Sequence, residues 1–150
     1  YYEFIRNLKL FEAIAKENNF NFIIKVHPSE NKCIKMLQEI FPSLIFSKKK
    51  IEYLLKKSFV TISFSSTAIE DSLNSCVPVI LFDQWKRYQH CEAEVDFSKI
   101  EEAVYYVNKK EDLIKCIKNI KKYNKFNFEK YIYTEDFENN IKNHLFSLIK

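Results

Sequence analysis

The chain has 150 residues, of which 47% are hydrophobic, and a net charge of +4. That is the size of one ordinary domain with enough apolar content for a core, which excludes disorder as the default. No apolar run approaches the roughly 18 residues that a membrane span needs, and no signal-peptide pattern heads the sequence. No helix-turn-helix or zinc-finger spacing is present, so sequence-specific nucleic-acid binding is not expected. Cys33, Cys76, Cys91 and Cys116 form no CxxC pair. Reduced thiols in a cytoplasmic protein are therefore expected, with no disulfide or zinc framework.

Taken in chain order, EFIRNLKLFEAIAKE (3–17) places Phe4, Leu8, Phe11, Ile14 and Ala15 on one helical face. FNFIIKV (20–26) reads as a strand covered on both faces, ending at His27-Pro28. Ser29 is placed to cap a helix over 30–40, which Pro42 stops. A brief strand LIF (44–46), a helix over 51–57 and a strand FVTIS (59–63) follow. A helix over 67–75 leads to a buried strand PVILFD (78–83). WKRYQHCEAE (85–94) reads as loop, and AVYYV (103–107) as either a strand or a helix end. Amphipathic helices are expected over 110–122, with Asp112 near its start, and over 134–149, capped by Thr134. Alternating helices and strands with short connections predict an α/β fold, a Rossmann-like parallel sheet with helices on both faces, in a single domain over 1–150.

Parallel sheets bind ligands at the carboxyl ends of their strands. Three polar groups follow strand ends directly: His27-Pro28, Ser65-Ser66-Thr67 and Asp83-Gln84-Trp85. The sequence contains no glycine, where about ten would be usual. The P-loop and GxGxxG fingerprints are therefore excluded, and a phosphate would have to be held by side chains and helix starts. Three hydroxyls exceed what one helix cap needs. His27 can donate to a phosphate oxygen or bond local backbone. Glu70, one turn beyond Ser66, can accept ribose hydroxyls or simply face solvent. Lys86, Arg87 and His90 can approach a diphosphate or form a surface loop. The lysine-rich run from Lys109 to Lys130 reads first as a solvated helix face, and second as a contact for phosphate or an anionic membrane. No metal ligand pair is apparent, since His90-Cys91-Glu92 lacks a second pair.

The strand ending KVHP, then strand-Ser-Ser-Thr-x-x-Glu, then PVILFD, resembles the C-terminal, donor-binding domain of GT-B glycosyltransferases. The likeness is to CDP-glycerol glycerophosphotransferases, Kdo transferases and sialyl- or polysialyltransferases of bacterial capsule and teichoic-acid assembly. It spans roughly residues 3–122. It implies that His27, Pro28, Ser65 and Ser66 hold the phosphate of a CMP- or CDP-activated donor, with His27 also assisting the leaving group. Thr67, Lys86 and Arg87 are further candidate contacts, and Glu70 resembles the ribose-binding glutamate. No separate cofactor is implied. The substrate would be a nucleotide-activated sugar or polyol donor. The glycan acceptor and catalytic base would belong to a missing N-terminal domain, making this chain a fragment of a two-domain enzyme. Peripheral association with the inner face of the membrane is compatible with the basic C-terminal helices. The sequence departs from the pattern at Ser75-Cys76-Val77-Pro78, where such families often have glycine. A UDP-N-acetylglucosamine 2-epimerase-like enzyme and a non-catalytic α/β binding domain remain alternatives.

Overall fold

The computed structural model describes residues 2–27, 32–64, 66–87, 91–98, 101–123 and 125–132. The order is α1 (Tyr2–Asn18), β1 (Phe22–Lys25), α2 (Ile34–Ile40), β2 (Leu44–Ser47) and α3 (Ile51–Leu55). Then follow β3 (Thr61–Ser63), α4 (Ala68–Asn74), β4 (Val79–Phe82), β5 (Val104–Val107) and α5 (Lys110–Lys122). The protein is α/β, with every strand pair parallel and helices around the strands, as the alternating pattern predicts. AVYYV resolves as a strand. Of the helix expected over 30–40, residues 30 and 31 lie outside the described residues and the α-helix runs over Ile34–Ile40; the helix expected over 51–57 ends at Leu55, and 134–149 lies outside the described residues.

The strands form two sheets rather than one: β1 pairs with β2, and β3-β4-β5 form the other. β4 is the most deeply set, with all four residues buried. Its alternation serves two layers. Ile80 and Phe82 meet Ile14 of α1 and Leu113, Cys116, Ile117 and Ile120 of α5. Val79 and Leu81 meet Ile69 and Leu73 of α4 on the opposite face. α1 also reaches the smaller sheet, where Leu8 and Ala15 pack on Leu37, Phe41 and Leu44. Burial pushes the Cys116 thiol up to about 12, so it serves as a small apolar core residue.

Without glycine, left-handed backbone falls to other residues. Asn19 (φ 54°) ends α1, Cys76 (φ 54°) joins α4 to β4, and Lys86 (φ 51°) follows β4. Asn19 is a tolerated choice after a helix, whereas a side chain at the other two sites adds steric strain.

α5 matches its expected span and buries Leu113, Cys116, Ile117 and Ile120. Its lysines lie on the outer side: Lys110 pairs with Glu17 at 3.0 Å, and Lys115 with Asp112 at 3.9 Å. Lys130 pairs with Glu92 at 3.0 Å. The basic run is mainly a solvated face on which Lys110, Lys115 and Lys130 form ion pairs, each contributing little. No described helix is long and apolar enough to cross a membrane.

Candidate functional site

β3 and β4 are parallel neighbours, so the turns after them leave the same edge of the sheet. They touch there: the Arg87 guanidinium lies 3.9 Å from the centre of the Phe64 ring and 5.4 Å from that of Trp85. Asp83 organises this edge. Its side chain is wholly buried and accepts from the Trp85 N–H at 3.2 Å and the Arg87 N–H at 2.6 Å. It also accepts from Arg87 Nε at 3.4 Å and from the Tyr106 hydroxyl at 3.2 Å. Burial first, and the Asp83 charge second, raise the Tyr106 pKa, so the phenol stays protonated and donates. A carboxylate satisfied in this way folds the backbone tightly enough to place Lys86 at positive φ.

The same turn holds the start of α1. Arg87 Nη1 donates to Glu3 at 2.8 Å, and Gln84 Nε2 donates to Asn7 Oδ1 at 2.8 Å. Arg87 is thereby committed to Asp83, Glu3 and Phe64, and its reach toward a ligand is reduced. Lys86 beside it is exposed. The sequence reading did not assign a role to Asp83, although its place at the end of a fully apolar strand was a usable signal.

The serine segment follows β3. Ser65 lies outside the described residues, as do Pro28, Ser29 and His90. The cap position of α4 is Thr67, in αR conformation (φ −58°, ψ −18°) without a side-chain cap bond, rather than Ser65 or Ser66. Ser66 nonetheless closes the turn, since its Oγ accepts from the Ala68 N–H at 3.2 Å and its carbonyl accepts from the Ile69 N–H at 3.0 Å. A hydroxyl that accepts can still donate, so Ser66 retains its proton for an anion. Ser66, Thr67 and Glu70 are all exposed. Within α4, Ser72 is buried and bonds both Thr61 Oγ1 and the Ala68 carbonyl, fixing the helix to β3.

His27 follows β1 and is exposed. Between β1 and β3 lies a cavity of about 740 Å³. Lys25 at the end of β1 lines it, together with Ser63 and Ser66 at the end of β3. The His-Pro and serine motifs are thus carried by the two strands that border one cavity. His27, Thr67, Glu70, Lys86 and Arg87 are not among its lining residues. Among the described residues, no three His, Cys, Asp or Glu side chains gather as a metal cluster. Compared with family models, curated proteins and solved structures, the chain matches none.

Proposed function

We propose that this chain is the donor-nucleotide-binding half of a glycosyltransferase or polyol-phosphate transferase of bacterial surface polysaccharide synthesis, taking a CMP-, CDP- or UDP-activated donor. One observation carries the reading: His27 and the Ser66-Thr67 hydroxyls follow the carboxyl ends of β1 and β3, at the strand ends rather than within the space between the two strands, where Ser66 alone of the three is a lining residue. Strand ends of α/β sheets are where such folds take ligands. In this reading His27 and the hydroxyls of Ser65, Ser66 and Thr67 donate to the phosphate oxygens, and Pro28 sets the course of the chain after His27. The same donors stabilise the charge that grows on the departing nucleotide. Glu70 accepts from the ribose, and Lys86 supplies a cation near the diphosphate. Because α4 has only seven residues, side chains rather than its dipole carry the binding. The base that deprotonates the glycan acceptor lies outside this chain.

His27→Ala and Ser66→Ala are each expected to weaken CDP binding by roughly tenfold to a hundredfold, the value of one charge-assisted hydrogen bond. His27 is exposed, so its substitution should change thermal stability little, whereas Ser66→Ala also removes the acceptor for the Ala68 N–H and should cost about 1 kcal/mol. Titration of the two variants with CDP beside the parent chain checks this. Unchanged affinity in both would remove the assignment.

A further inference from the structure

The cavity between β1 and β3 is bordered by backbone as well as side chains. All of β1 and all of β3 line it, yet the two strands share no ladder. Among the described residues, β1 pairs with β2 alone, on its other side, and β3 with β4 alone. Alternate residues of a strand direct their backbone groups to opposite neighbours. The Val26 N–H points to Ser47 of β2, and the Thr61 N–H points to Pro78 ahead of β4. The backbone groups of Ile23 and Lys25 on β1, and of Ile62 on β3, therefore face the cavity. Two sheet edges thus open onto one space, and among the described residues no strand lies between them.

The flanking side chains agree. Phe11 and Ile117 close the space from α1 and α5, and Leu54 and Leu55 close it from α3. FNFIIKV has the apolar character of a strand covered on both faces, but Phe22, Ile23 and Ile24 are only partly buried, as is Ile62 of β3, unlike β4. A neighbour between them would complete that burial.

The direction of entry is also marked. α1 begins beside the turn at the carboxyl end of β4, where Glu3 meets Arg87 and Asn7 meets Gln84. Phe4, Asn7 and Leu8 of this first part of α1 line the cavity. Polypeptide entering α1 therefore arrives at the carboxyl edge, next to the open space.

We propose that the space between β1 and β3 is the seat of a further strand, parallel to β3, contributed by polypeptide that leads into α1 from its N-terminal side. The strand, α1 and β1 then form one βαβ unit, and the two small sheets join into one. This inference does not depend on nucleotide binding.

The test fuses a five-residue Val/Ile segment with a two-residue connection ahead of Tyr1 of the full chain, beside a control with proline at its centre. Amide hydrogen exchange is read by NMR at Ile23, Lys25 and Ile62. In the unfused chain these amides should exchange quickly. The Val/Ile fusion should slow them by roughly a hundredfold or more, and the proline control, which lacks a ladder donor, should slow them far less. Three results would overturn the proposal. The amides could already be protected in the unfused chain at every concentration, so that the edges pair directly or another segment fills the space. Protection could rise with concentration of the unfused chain, so that a second copy supplies the strand. The fusion could leave exchange at these three amides unchanged while the core amides of β4 stay protected.

Discussion

Asp83→Ala is expected to lower the unfolding free energy by about 3 kcal/mol, because the substitution strands partners as well as removing bonds. The carboxylate is fully buried and accepts from two backbone N–H groups, a guanidinium and a phenol. Without it, the Tyr106 hydroxyl and the Arg87 N–H lose their acceptor in a partly buried site. The turn that holds Lys86 at positive φ loses its support, and Arg87 loses the anchor that aims it at Glu3. Asp83→Asn, which keeps an acceptor for part of the set, should cost about half as much. By contrast, Glu3→Ala should cost less than about 1 kcal/mol, since its pair with Arg87 is exposed. Urea unfolding of the three variants gives the ranking. Equal stabilities for Asp83→Ala and Glu3→Ala would show that the buried cluster does not organise this edge.

Ile80→Ala is expected to cost 3 to 4 kcal/mol, within the ~2–5 kcal/mol range for core truncations. Ile80 is completely buried in the middle of the central strand, between the helical layer of α1 and α5 and the rest of the sheet. Its neighbours come from four elements, so the site cannot collapse around the missing atoms. Ile45 is the comparison: it lies on β2, an outer strand, and is 49% exposed. Ile45→Ala should cost under about 1 kcal/mol. A cost at Ile45 equal to that at Ile80 would contradict the placement of β4 at the centre of the fold.

The fold class was legible because periodicity is local. α5 has a clean 3.6-residue apolar stripe, and its observed ends, Lys110 and Lys122, are those that the pattern predicts. Val79–Phe82 forms a wholly buried strand because four consecutive apolar residues after Pro78 need cover on both faces. The helix ahead of Phe41 was less readable at its start, which is Ile34, and the helix after Lys50 at its end, which is Leu55. The division into two sheets was not legible at all. FNFIIKV reads as a covered strand and FVTIS as a strand, and nothing in either says which edge meets a partner.

The candidate site divides in the same way. His27, Ser66 and Thr67 were placed after strand ends by sequence order alone, and they are found there. The role of Arg87 was not visible, because it depends on Glu3, 84 residues away. The Asp83 cluster likewise needs Tyr106, 23 residues on, and the α1 anchor needs Asn7 and Gln84, 77 residues apart. Contacts of that kind arise from how the sheet orders its strands, which no local pattern encodes.

The most direct test of the functional reading is calorimetric titration of the chain with CMP, CDP, UDP and UMP, with amide exchange confirming that the β4 core is folded in the same sample. The expected result is saturable binding with the cytidine nucleotides ahead of the uridine ones. Tighter binding of UDP than of CDP would instead favour a UDP-sugar enzyme. Absence of binding by all four nucleotides to the folded chain would contradict the proposal that its strand ends hold a nucleotide phosphate.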